Sequence, residues 1–171
     1  SLEIELKSLG EFHPSIATCY SNLGDVYDDL KKYSEAEEFY HKSLDLRTQI
    51  YGPEHPSVAN SLAHLGLVNY HQNKSTEALH YYLKALNIRL KVLGFDHPSI
   101  ATAYNNIGNI YEQQGKYEEA LDVYFKSLEV KRILYGEDHP SVASAYKNIA
   151  SVYDTLHDVD KALEYYQKCL D

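Results

Sequence analysis

Apolar residues in this chain recur at the spacing of helices. From Pro14 onward, Ala17, Tyr20, Leu23, Gly24, Val26, Tyr27 and Leu30 fall on one side of a 3.6-residue wheel and predict an amphipathic helix over residues 14–30. Ala36, Tyr40, Ser43, Leu44 and Ile50 mark a second helix that Gly52 closes. The pair then repeats. His-Pro stands at 13–14, 55–56, 97–98 and 139–140, each step 42 residues, and Ala36, Ala78, Ala120 and Ala162 keep the same interval. A fixed period of this size means that each unit is one helical hairpin resting on its neighbours.

Punctuation residues agree with the periodicity. Pro14, Pro56, Pro98 and Pro140 suit the first position of a helix, where a missing N–H costs nothing. Gly10, Gly52, Gly94 and Gly136 read as C-caps, where the backbone turns left-handed. Ser34 with Glu37 three residues later reads as a capping box that restarts the second helix. Residues 1–9 match 43–51, 85–93 and 127–135 in phase. The expectation is an all-α superhelix (solenoid) of antiparallel hairpins, a single array over 1–171. It comprises a half-helix of a preceding repeat (1–10), full repeats at 13–52, 55–94 and 97–136, and a truncated repeat at 139–171. Gly24, Gly66, Gly108 and Ala150 are expected to face Ala36, Ala78, Ala120 and Ala162 so that paired helices approach closely. The second repeat is the least regular: Asn69 stands where the others have Tyr27, Tyr111 and Tyr153. Either Tyr70 turns inward to compensate or that repeat packs more loosely.

The set Tyr20/Leu23/Gly24/Tyr27…Ala36…Tyr40 resembles the tetratricopeptide signature, W-x2-L-G-x2-Y…A…F. It returns as Tyr104/Ile107/Gly108/Tyr111…Ala120…Tyr124 and Tyr146/Ile149/Ala150/Tyr153…Ala162…Tyr166. The 42-residue length and the G-x-x-HPS-[VI]-A joint are similar to the long variant found in kinesin light chains. The resemblance implies a right-handed superhelix whose first helices line a concave groove for partner peptides.

At about 100° per residue, the stripe opposite Tyr20, Leu23 and Tyr27 contains Thr18, Ser21, Asn22, Asp25, Asp28 and Asp29. The second repeat places Asn60, Ala63, His64, Leu67, Tyr70 and His71 there, and the third Thr102, Asn105, Asn106, Asn109, Glu112 and Gln113. The fourth adds Ser144, Lys147, Asn148, Ser151, Asp154 and Thr155. Five carboxylates against one lysine make this stripe acidic. Asn22, Asn106 and Asn148 share one column, with His64 in the second repeat. Amides donate and accept, so the column suits the backbone of an extended peptide; the alternative is that they cap local backbone or face water. Leu67, Tyr70 and His71 form an apolar spot, either an anchor pocket or a repair of the core at Asn69. Tetratricopeptide domains that bind chaperone C-termini carry lysine and arginine in these columns, and kinesin light chains bind acidic peptides with basic grooves. The sign here fits neither.

Net charge is −9 at pH 7, which argues against nucleic acid or an anionic membrane and favours a basic or neutral protein partner. No apolar run approaches the roughly 18 residues of a membrane span. Cys19 and Cys169 lie three repeats apart, at roughly 10 Å per helix layer far beyond the ~7 Å limit for a disulfide. Free thiols point to an intracellular, cytoplasmic setting.

Candidate chemistry changes little. His13, His55, His97 and His139 recur once per repeat, a pattern of caps or turn packing rather than of convergence on an ion. His64 and His71 lie two turns apart without a third ligand, and no Cys-x-x-Cys or His-x3-His pair occurs. Arg47, Arg89 and Lys131 form a column whose stems are expected to pack inward, with heads on helix C-terminal carbonyls. No nucleophile–base pair or phosphate loop is readable, so neither enzyme activity, nor a metal, nor a cofactor is expected. The expected function is a protein-interaction scaffold that binds an extended segment. The alternative is an architectural element in which copies stack head to tail, residues 1–9 supplying the half-helix that the last repeat lacks.

Overall fold

A computed structural model describes residues 12–170; the half-helix expected at 1–10 and the cap at Gly10 lie outside the described residues. Eight helices are described: α1 Pro14–Asp29, α2 Tyr33–Tyr51, α3 Pro56–His71, α4 Ser75–Leu93, α5 Pro98–Gln113, α6 Tyr117–Tyr135, α7 Pro140–Thr155 and α8 Val159–Lys168. The chain divides into two compact units, one ending at Ile88 and the other beginning at Arg89, so the division falls within α4.

Every first helix of a hairpin starts the same way. The Nδ1 atoms of His13, His55, His97 and His139 accept from the backbone N–H of Ser15, Ser57, Ser99 and Ser141 at 3.2, 3.1, 3.2 and 3.1 Å. Proline follows at the first helical position, where no N–H is missed. Because Nδ1 accepts, the ring proton sits on Nε2. Tyr51 and Tyr135 stack on His55 and His139 at 4.4 and 4.5 Å, which locks the capping rings in place.

The turn inside each hairpin closes differently from the expectation. Lys31, Asn73, Gly115 and His157 adopt φ of 58°, 60°, 72° and 59°. The next N–H reaches back five residues: Lys32 to Tyr27 O, Lys74 to Asn69 O, Lys116 to Tyr111 O and Asp158 to Tyr153 O. This is the Schellman closure, and only the third repeat meets it with glycine. The following helix begins at once, since Ala36 N donates to Lys32 O at 3.0 Å. Ser34 is therefore already inside the first turn, and the expected capping box does not form. Lys32 is the N-cap, without a side-chain bond. In the last hairpin Asp158 holds that place and does cap, accepting from Lys161 N at 3.2 Å.

In the core, the nearest atoms to Gly24, Gly66 and Gly108 belong to tyrosine rings. A Cβ on Gly24 would lie 2.4 Å from the Tyr40 ring, on Gly66 3.0 Å from Tyr82, and on Gly108 2.4 Å from Tyr124. The glycines make room for tyrosines one turn beyond the alanines. Tyr40, Tyr82 and Tyr124 are buried as a result. Ala150 fills that space itself, and the matching Tyr166 is 38% exposed. In the first unit Tyr40 and Ala36 pack with Leu65 and Val68, while Ala85 and Ile88 pack on Val58, Ala59 and Leu62. In the second, Tyr124 and Leu128 pack with Val142, Tyr146, Ile149 and Val152.

Candidate functional site

The outward faces of the first helices are described unit by unit. In the first unit α1 and α3 lie side by side and are bridged twice. Asp25 Oδ1 accepts from His64 Nδ1 at 3.0 Å and from the Tyr40 hydroxyl at 2.8 Å. Asp28 Oδ1 accepts from His71 Nδ1 at 2.9 Å. These imidazoles donate through Nδ1 and so hold the opposite tautomer from the capping histidines. Burial, then the bond to Asp25, pushes the Tyr40 phenol well above its ordinary range, so it stays a donor.

The bridges sort the predicted residues. Asp25 keeps 49% of its side chain exposed, whereas Asp28 keeps 10%. Asn22 and Asp29 are exposed. Ser21 is not on this face: it is buried, and its hydroxyl lies 2.8 Å from that of Ser43. Ser43 spends its proton on Ala17 O, so Ser21 donates to Ser43. Leu67 is exposed and Tyr70 half-buried. The inward place is kept by Asn69, buried, with its amide donating to Leu65 O at 2.9 Å and to Glu37 Oε1 at 3.3 Å.

In the second unit the groups are polar but mostly uncharged. Asn148 Nδ2 donates to Asn105 Oδ1 at 2.7 Å, bridging α5 and α7 where the first unit uses histidine and aspartate. The Tyr124 hydroxyl lies 2.7 Å from Asn109 Oδ1 and 3.0 Å from Glu112 Oε2, so both share its proton. Asn106 and Ser151 are half-buried and Lys147 is exposed. The amide column thus spends part of its capacity on its own neighbours.

The periodicity places Tyr40 inward, but it does not show that the Tyr40 and Tyr124 hydroxyls reach acceptors on the first helices. The signal was the 15-residue spacing from Asp25 to Tyr40 and from Asn109 to Tyr124, which the repeat period preserves. The basic column is also placed differently from expectation. Arg47 Nη1 donates to Ser61 Oγ at 2.8 Å and Ser57 O at 3.3 Å, and Arg89 Nη1 to Ser99 O at 3.3 Å. These bonds run to Ser57 O and Ser99 O in the first turns of the following helices, and to Ser61 one turn further on. Ser57 and Ser99 lie two residues from the histidine caps His55 and His97. Lys131 holds the same column with Ala145 in the place of Ser61, and burial keeps its ammonium below the ordinary lysine range.

Among the described residues no group of three His, Cys, Asp or Glu side chains could hold a metal ion. No described helix is long and apolar enough to cross a membrane.

The family description Tetratricopeptide repeat matches residues 1–47, 29–91 and 99–171. No curated protein matches the chain. Among solved structures, BtubC (BKLC) from P. vanneervenii is similar with a TM-score of 0.87 at 24% identity, over 97% of this chain; the chain spans 66% of that protein. A protein from Podosopora anserina, described as a kinesin light chain with nearly identical TPR-like repeats, has a TM-score of 0.81 at 21% identity. It is covered over 98% of this chain and 80% of its own. MamA follows with a TM-score of 0.68 at 22% identity, over 99% and 82%. At these identities the likeness is one of fold: hairpins of helices laid in series, with no strand among the described residues.

Proposed function

Because the chain belongs to the tetratricopeptide repeat family, we propose that it is a non-catalytic scaffold whose first-helix faces take an extended, basic or neutral peptide segment of a partner protein. The observation that carries this reading is the acceptor row on α1: Asp25 half-exposed and held in place by Tyr40 and His64, with exposed Asn22 and Asp29 beside it. A carboxylate held by a buried phenol is fixed in direction before a ligand arrives, so less rotamer entropy is lost on binding. Leu67 and Tyr70 on α3 offer an apolar contact next to the acidic row, a place for one anchoring side chain. In the second unit Asn106 and Ser151 supply neutral donors and acceptors suited to peptide backbone, and Lys147 adds one charged donor. Cys19 and Cys169 are in no disulfide, which agrees with work in a reducing, intracellular compartment.

The test is a titration of fluorescently labelled arginine-rich and glutamate-rich peptides of equal length at low and at physiological salt. The arginine-rich peptide is expected to bind at least tenfold tighter at low salt and to lose most of that advantage as salt rises. Equal affinity for the two peptides at low salt overturns the reading.

A further inference from the structure

The cationic column on the second helices changes character in the third repeat. Arg47 spends its guanidinium on Ser57 O and Ser61 Oγ, and Arg89 reaches Ser99 O. Ala103 stands where Ser61 does, yet Arg89 still finds the backbone carbonyl. Lys131 is the next member of the column, half-buried on α6. Among the described residues no carboxylate, carbonyl or hydroxyl holds its ammonium. The sequence shows why. An arginine carries its terminal donors further from Cα than a lysine and spreads them in a planar fork. Ala145, in the place of Ser61, withholds the hydroxyl that a shorter head needs.

Other lysines of the second unit are engaged. Lys126 and Lys168 pair with Asp122 and Glu164 at 2.6 Å each, and Lys161 pairs with Asp158 at 2.9 Å. Those bonds hold the three ammonium groups above the ordinary lysine range. At Lys131 nothing offsets burial, and its ammonium is held below that range. An ammonium has no lone pair to offer, whereas a neutral amine is a nucleophile. Burial without a partner thus gives Lys131 a larger neutral fraction than the paired lysines. The column also leaves room. A position that holds a guanidinium in the first two repeats holds a smaller head here, and a planar amide on Nζ approaches the guanidinium in size without a charge to bury.

We propose that Lys131 is a modification site, an amine that takes a small acyl group from an acyl thioester. The Nζ lone pair attacks the thioester carbonyl carbon, the N–C bond forms and the C–S bond breaks. The thiolate leaves with that electron pair, and Nζ gives up one proton to solvent. The product is a neutral amide that relieves the unpaired charge beside α7. The site lies on a second helix and uses none of the residues of the peptide-binding faces.

The experiment treats the folded 171-residue chain with the acetyl thioester of N-acetylcysteamine and follows each lysine by peptide mass spectrometry. The exposed Lys84 and Lys147 serve as internal references. The larger neutral fraction speeds Lys131 and half-burial slows access to it, so at pH 7 it is expected to react about fivefold faster than either reference. The advantage is expected to shrink as pH approaches about 10.4, where any lysine has a large neutral fraction. It is expected to vanish in the urea-unfolded chain, where all lysines are solvated alike. No advantage at pH 7, an advantage that does not change with pH, or one that persists in urea overturns the proposal. None of these results touches the arginine-rich peptide titration, so failure here leaves the peptide-face reading standing.

Discussion

At the residue scale the sharpest constraint is the contact between a glycine and a tyrosine ring. Gly24 and Gly108 each sit where a methyl group would lie 2.4 Å from a buried ring carbon, whereas at Gly66 the Tyr82 ring has turned to leave 3.0 Å. Gly108→Ala is therefore expected to cost about 1–3 kcal/mol by overpacking, and Gly66→Ala less, as read by urea denaturation. Equal costs at the two sites would mean that the rings move freely. The hairpin turns point the other way. Lys31 and His157 hold left-handed backbone that a side chain adopts at a cost. His157→Gly is expected to gain about 0.5–1 kcal/mol, since Gly115 already serves the same place in the third repeat.

At the scale of elements, two devices join helices. The first is the histidine cap. His55→Ala removes an acceptor from Ser57 N and is expected to cost about 1 kcal/mol, with faster amide exchange confined to the first turn of α3. The second is Glu37 on α2, which gathers the end of α3 by accepting from Asn69, Gln72 Nε2 at 3.0 Å and Lys74 at 3.4 Å. Burial pushes its carboxyl up, but the bonds from Gln72 and Asn69 and the Lys74 charge together outweigh burial and hold it below its ordinary range. A carboxylate with a depressed folded pKa binds fewer protons than in the unfolded chain. Its contribution is present in full above the unfolded value of about 4.3 and is lost as pH falls through the folded value. Glu37→Gln is expected to lower the denaturation midpoint at neutral pH and to converge with wild type as pH drops below the carboxylate range. A constant gap at every pH would assign the effect to packing.

At the scale of the whole molecule, net charge and local charge make separable demands. A net charge of −9 attracts any basic peptide from a distance, while the α1 face asks for one at a particular place. Asp29→Lys and Glu35→Lys change the total charge equally, and both sites are exposed, but only Asp29 lies on that face. Asp29→Lys is expected to weaken arginine-rich peptide binding severalfold more than Glu35→Lys at physiological salt, where the Debye length is about 8 Å. Equal losses would mean that the protein's field, not the face, does the binding.

The chain by itself determined the helices, their pairing and the family, because a 3.6-residue apolar period, proline at the start of each hairpin and glycine at the end of each long helix are local signals that recur every 42 residues. His13, His55, His97 and His139 were legible as caps for the same reason: the next residue is always proline and the one after always serine. What tertiary structure decided was the direction of each polar side chain. Ser21 lies within the outward stripe by angle, yet Ser43 from the paired helix draws it into a buried hydroxyl chain. Asp28 is mostly covered because His71, 43 residues away, lies over it. Ser34 lost its cap to a backbone turn that closed two residues earlier. A periodic pattern states which way a residue faces on its own helix. Only the neighbouring helix supplies the donor, acceptor or ring that decides whether that residue stays open to a partner.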